Sequence, residues 1–365
     1  MTSALFTPVR LAGLELKNRI VVAPMCQYSA QDGCATDWHM THLGMLANSG
    51  AALMVVEATG VERIGRITHG CHGLYSDANE DAIQRVVNHC RRIGKARIGI
   101  QLAHAGRKAS SQLPWQGGKG LRPNEDPWET IAPSAIPYGD DWPAPREATR
   151  DDLDRVREAF VSSARRALRV GFDSIELHLA HGYLLHTFLS PVSNRREDEF
   201  GGSIDNRMRF PLEVVRAVRA VVPKTTPLGV RISASDWVEG GWTLEDSVVL
   251  ARALKAEGVD YVCCSSGGIR ADTRTPHDAN DNVALAQKIR NETGIATRAV
   301  GHIVDPRVAD GIIANGQADM VALARGFLDD PHWAWHAAKA LGAEIERPDQ
   351  YLRAGPQFWP PARSQ

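Results

Sequence analysis

Two imidazoles three positions apart, His178 and His181, follow a short apolar run and are succeeded at once by Gly182 and Tyr183. Rings spaced in this way can share a metal ion or donate hydrogen bonds to one substrate oxygen. A catalytic metal would need a third ligand: His104 offers an imidazole, and Glu176 has the strand parity of His178 but should lie deeper. A third possibility is that each ring is satisfied within the protein. Other reactive side chains follow or end similar apolar runs: Cys26 and Tyr28, Gln101 and His104, Arg231, Ser265 and Ser266, His302, and Arg325.

Gln101 both donates and accepts, and Arg231 is a fixed cation, so the two suit a heterocycle with imide edges such as a flavin pyrimidine. The plain alternative is that Arg231 pairs with Glu57 or Glu176, because buried charges are ordinarily compensated. Gly301 and Arg325 suit a phosphate, glycine by close backbone approach and arginine by its planar fork.

These residues act together only if a scaffold gathers them. Short runs rich in Val and Ile predict strands at 20–23, 53–58, 98–102, 174–178, 228–232, 261–265, 297–300 and 320–324. Helical periodicity between and after them predicts helices at 37–48, 79–93, 149–170, 207–222, 244–257, 282–293, 306–315 and 331–341. Gly94, Gly171, Gly258 and Gly316 read as left-handed helix caps, and Thr149 with Asp152 reads as a capping box. Eight such units predict a TIM (β/α)8 barrel over residues 1–342, with a long active-site insertion at 103–148 after strand three and a C-terminal tail at 343–365. A doubly wound open sheet is the alternative, but no G-x-G-x-x-G follows the first strand. In a barrel, the reactive residues above fall at the C-terminal ends of strands, where barrel active sites are built.

Composition narrows the partners. The chain has 365 residues, 43% of them hydrophobic, enough for a large core. Lys and Arg total 42 against 43 Asp and Glu, so the net charge of −1 gives no field for nucleic acid or a membrane surface and favours a small-molecule substrate. The N-terminus lacks the features of a signal peptide and no apolar stretch approaches about 18 residues, so a soluble, cytoplasmic protein is expected. Six cysteines without a C-x-x-C pair argue against structural zinc, an iron–sulfur cluster and a disulfide framework.

The motifs taken together resemble the Old Yellow Enzyme family of FMN-dependent ene-reductases, in its thermophilic-like branch related to xenobiotic reductase A. The resemblance runs through Asn18-Arg19-Ile20, Ala23-Pro24-Met25-Cys26-Gln27-Tyr28, Glu57-Ala58, Gln101-Leu102-Ala103-His104-Ala105-Gly106-Arg107-Lys108, His178-Leu179-Ala180-His181-Gly182-Tyr183-Leu184, Asn194-Arg195-Arg196 and Arg231-Ile232-Ser233-Ala234. It implies that Ala23, Pro24, Met25, Cys26 and Ala58 line the flavin, that Gln101 and Arg231 bind its pyrimidine, and that Gly301, Ala324 and Arg325 hold its phosphate. It further implies that His178 and His181 bind the substrate oxygen, that Tyr183, or a water in its place, donates a proton, that Tyr28 touches substrate, and that Cys26 tunes the flavin. The reaction implied is hydride transfer from NADPH, or NADH, through flavin N5 to the β-carbon of enones, enals, maleimides and nitro compounds. The segment Gln350-Tyr351-Leu352-Arg353 resembles one that reaches a neighbouring subunit's site, which implies a homodimer or higher homo-oligomer. Three positions depart from the pattern: Ala324 in place of glycine, Ala23 in place of serine or threonine, and His302 in place of Met or Phe.

Overall fold

A computed structural model describes residues 3–276, 278–355 and 358–359. A hairpin comes first, β1 (Val9–Leu11) against β2 (Leu14–Leu16). Eight strands then close into one parallel barrel: β3 (Ile20–Val22), β4 (Leu53–Gly60), β5 (Arg97–Ala103), β8 (Ser174–Leu179), β9 (Leu228–Ser233), β10 (Tyr261–Ser265), β11 (Ala296–Val300) and β12 (Met320–Leu323). A two-residue pair, β6 (Ile131–Ala132) with β7 (Arg146–Glu147), lies in the long connection after β5. The helices are α1 (Asp37–Ala47), α2 (Asp77–Ile93), α3 (Arg150–Val170), α4 (Leu184–Leu189), α5 (Ile204–Val221), α6 (Leu244–Ala256), α7 (Ala279–Thr293), α8 (Pro306–Ala314), α9 (Arg325–Asp329) and α10 (Trp333–Ala340). The predicted TIM barrel is the observed fold, with strand edges displaced by one or two residues at most.

Two apolar clusters divide the molecule. The larger fills the space between barrel and helices, with Ile100, Phe160, Phe188, Val214 and Ile289 among its members. The smaller occupies the lumen, where Val21, Val55, Tyr261, Cys263 and Met320 meet Leu11 and Leu16 of the hairpin. Gly13 at the hairpin turn donates to the Thr225 carbonyl 3.0 Å away, in the loop entering β9, so the hairpin plugs the N-terminal end of the barrel. Strands of three residues are too short to show alternation, and the plug has no separate signal in the sequence.

Local chemistry explains the helix ends. The Thr149–Asp152 box forms, Thr149 N–H meeting Asp152 Oδ2 at 2.9 Å and Asp152 N–H meeting Thr149 Oγ1 at 3.2 Å. α5 begins three residues before its predicted start because Ser203 caps it, accepting Asn206 N–H. Gly171 is left-handed as predicted, at φ 87°, but Gly94 is not, at φ −113°. Gly94 is needed for proximity instead: a Cβ there would lie 2.4 Å from that of Ala47. Among the described residues no helix is long and apolar enough to cross a membrane.

After α10 the chain returns to the plugged end, where Glu346 pairs with Lys17 and Lys95 and the Tyr351 ring lies 5.8 Å from that of Trp335. Arg353 is exposed there, and residues 356–357 and 360–365 of the predicted tail lie outside the described residues.

Candidate active site at the barrel mouth

His178 is the penultimate residue of β8, and the chain then turns through two left-handed residues, His181 at φ 58° and Gly182 at φ 74°, before α4. Such a conformation costs a non-glycine residue roughly 1–3 kcal/mol and persists only where neighbours over-determine it. Here they do. His181 N–H donates to Ser233 Oγ at 2.9 Å, Lys108 Nζ donates to the His181 carbonyl at 2.8 Å, and His181 Nε2 meets Ser265 Oγ at 2.7 Å. Behind the turn, Gly182 N–H donates to His186 Nδ1 at 2.9 Å, and His186 Nε2 lies 3.0 Å from Asp236 Oδ1 in a fully buried pair.

The two imidazoles converge, His178 Nε2 standing 3.3 Å from His181 Nδ1, while His178 Nδ1 accepts the Ala180 N–H at 3.2 Å. Burial, and then the charge of Arg231, lowers both rings well below the ordinary histidine range, so they are neutral at pH 7. The Tyr183 ring packs edge-on to His178 with centroids 4.7 Å apart, and burial keeps its phenol protonated. His104 does not join them: its Nε2 lies 2.8 Å from Glu62 Oε1 and its Nδ1 accepts the Gly106 N–H. The third imidazole of the metal alternative is thus engaged elsewhere, and Glu176 is engaged deeper in the lumen.

Glu176 accepts from Gln101 Nε2 at 2.7 Å, from the Tyr261 hydroxyl at 3.1 Å, and from Arg298. Glu57 accepts the Gln27 N–H at 3.0 Å and stands 3.2 Å from His39 Nε2. Both carboxylates weighed as partners of Arg231 therefore serve other groups. Arg231, in register with His178, has a buried Nε with no hydrogen-bond partner among the described residues. A buried donor without an acceptor costs about 1–3 kcal/mol, and a ligand carbonyl would relieve it. With one N–H of Gln101 committed to Glu176, the amide flip is fixed and its oxygen is left for an imide N–H.

Glu57 also organises the segment from Pro24 to Tyr28, because the Gln27 amide it binds is in that loop. Burial, then the Glu57 charge, pushes the Cys26 thiol well up, which suits a neutral neighbour of a ring and not a nucleophile. Tyr28 adopts φ 52° and meets Trp115 of the long insertion edge-on at 5.9 Å. A bulge between Val56 and Ala58 brings buried Ala58 opposite Gln101. At the tips of β11 and β12, Gly301 takes φ 121° and a Cβ there would come 2.5 Å from Asn282 Nδ2. Arg325 is exposed and its guanidinium makes no hydrogen bond or ion pair among the described residues, while Ala324 packs against the lumen cluster.

Arg353 lies at the plugged end, away from this cluster, because the tail folds back over α10. Lys108 is a residue to which the sequence reading assigned no role. It stands 4.3 Å from the Tyr138 ring centroid and 5.1 Å from that of Tyr183, and burial pushes its ammonium down to about 7. Its place in the motif after β5 was the available signal.

Imide-matching groups in the mouth of a plugged barrel, with neutral donors beside them, define the class of flavin-dependent oxidoreductases built on a TIM barrel. Residues 4–344 match the NADH:flavin oxidoreductase / NADH oxidase family, and the chain belongs to it. It is 45% identical to an NADPH dehydrogenase of Geobacillus thermodenitrificans over 97% of this chain and 99% of that one. It is 40% identical to an NADH:flavin oxidoreductase of Gibberella zeae over 96% and 88%. Among solved structures, morphinone reductase superposes with a TM-score of 0.77 at 29% identity, covering 96% of this chain and 92% of that one. The protein is therefore a nicotinamide-dependent flavin oxidoreductase with FMN as its cofactor, and the unpartnered Arg231 Nε and the fixed Gln101 amide fit that group.

Proposed function

We propose that the protein is an ene-reductase whose His178 and His181 grip the carbonyl or nitro oxygen of an activated alkene. The observation that carries this reading is the convergence of two neutral imidazoles at 3.3 Å beside an arginine whose buried Nε has no hydrogen-bond partner among the described residues. Gln101 and Arg231 hold the pyrimidine edge; Gly301, Ala324 and Arg325 hold the phosphate; Ala23, Pro24, Met25, Cys26 and Ala58 line the ring. Bound there, FMN would supply the hydride relay from NADPH, or NADH, to the β-carbon of an enone, enal, maleimide or nitroalkene.

The imidazoles lie where negative charge builds on the substrate oxygen during that delivery, so they stabilise the transition state more than the ground state. Tyr183 supplies the α-carbon proton, and its buried phenol stays protonated for that purpose. Tyr28 borders the substrate opposite. Arg353 reaches a site only from a second copy, and the resemblance of its segment supports a homodimer, which native mass measurement tests.

Anaerobic protein should bleach with NADPH and recover its colour on addition of 2-cyclohexenone. In His178→Ala and His181→Ala, FMN stays bound while KM for the enone rises by about tenfold or more, since each ring contributes one hydrogen bond to the oxygen. Bleaching without recovery by any activated alkene, or loss of FMN from both variants, would overturn the reading.

A further inference from the structure

We propose that Ser265 is a positioning residue for the substrate oxygen: its hydroxyl pairs with His181 Nε2 in either tautomer, so that His181 can move its proton to Nδ1 and both imidazoles can donate at once. The inference rests on the ene-reductase reading and adds a residue to it.

The chain of donors begins at the backbone. Ala180 N–H donates to His178 Nδ1, so the neutral ring of His178 carries its proton on Nε2. That nitrogen faces His181 Nδ1 at 3.3 Å, so with no oxygen between them His181 Nδ1 accepts. Its own proton then sits on Nε2 and is donated to Ser265 Oγ at 2.7 Å.

An oxygen seated between the rings reverses the second half of this chain. To accept from both, it needs hydrogen on His178 Nε2 and on His181 Nδ1. His181 Nε2 must then become an acceptor. A carbonyl or carboxylate in place of Ser265 would hold the proton on Nε2, and a backbone N–H would hold it on Nδ1 permanently. A hydroxyl serves both states by rotating about its C–O bond. The shift moves one proton from Nε2 to Nδ1 of the same ring, so no proton is gained or lost and the ring stays neutral.

The surroundings leave this hydroxyl as the adjustable part. Ser265 is buried, with 7% of its surface exposed. The backbone of His181 is fixed at both ends, by Ser233 at its N–H and by Lys108 at its carbonyl. Ser233 is itself the residue paired with Ser265 across β9 and β10, and its hydroxyl donates to the Gly267 carbonyl at 2.8 Å. The His181 ring therefore keeps its place while its tautomer changes.

The test uses FMN-loaded wild type, Ser265→Ala, Ser265→Thr and His181→Ala. In the alanine variant KM for 2-cyclohexenone should rise about tenfold with FMN affinity unchanged, and threonine should bring it back to within about threefold of wild type, since a hydroxyl is restored. With histidine labelled by nitrogen-15, adding phenol should move the His181 proton from Nε2 to Nδ1 in wild type and in the threonine variant, but not in the alanine variant. An unchanged KM in Ser265→Ala with the tautomer shift intact would overturn the assignment, as would a loss that threonine does not restore. Should the alanine variant fail to bind FMN, the nitrogen-15 measurement on wild type still decides, since a His181 proton that stays on Nε2 when phenol binds would overturn the assignment. If His181→Ala also leaves KM unchanged, the ene-reductase reading of the site falls; if it raises KM while Ser265→Ala does not, only the role of Ser265 falls.

Discussion

Two arginines point into the same barrel from strands on either side of β10, and both are registered to Cys263, yet their electrostatic circumstances are opposite. Arg298, on β11, is fully buried, pairs with the carboxylate of Glu176 and stands 5.0 Å from the Tyr261 ring centroid; its Nε and Nη1 have no hydrogen bonds among the described residues. Arg231, on β9 in register with His178, forms no ion pair with a carboxylate among the described residues, and its Nε has no hydrogen-bond partner there. The lumen neutralises its own charge, whereas the mouth leaves a charge for something that arrives later. On the proposed reading, that contrast separates a cation retained for the fold from one retained for a ligand.

Breaking the inner pair should have the largest effect. Glu176→Gln keeps the shape but leaves Arg298 as an uncompensated buried charge, which costs about 3–5 kcal/mol, read as a lowered denaturant midpoint. Arg231→Met tests the other half of the contrast. It should leave apoprotein stability within about 1 kcal/mol while weakening FMN by about a hundredfold, as expected for charge-assisted bonds to a ligand, read by fluorescence titration. Equal losses of fold in the two variants would erase the distinction.

Lys108 sharpens the comparison at the smallest scale, as a cation set between aromatic faces instead of beside a carboxylate. Burial lowers it from 10.5 to about 7, so between those values the unfolded chain binds the extra proton and the fold does not. The cost of charging it bears on the fold below pH of about 7 and fades as pH rises toward 10.5. Lys108→Met should therefore be the more stable protein at pH 6 and approach wild type at high pH, with melting curves at several pH values as the check. Wild type should also show an inflection in KM near pH 7 that the variant lacks, as the ammonium loses its hold on the two rings.

The barrel strands were legible because residues buried on both faces must be apolar, and Ile175, Val230 and Val262 announce themselves by type. The mouth was legible through polar residues that interrupt such runs, above all His178, His181 and Arg231. What could not be read is pairing across long separations: Arg298 finds Glu176 over 122 positions, and Arg155 and His104 find Glu62 from two different elements. Nothing local in the sequence tells which carboxylate serves which cation, so the partner assigned to Arg231 stayed open. Gly94 misled for a related reason, because glycine for tight contact and glycine for a left-handed turn look alike until the opposing Ala47 is seen.

The β1–β2 hairpin has a consequence for traffic. A barrel stoppered at its base has one doorway, so whatever enters the mouth must back out before the next visitor can use it. On the ene-reductase reading, electron donor and electron acceptor then take turns at one landing place, and an excess of either delays the other.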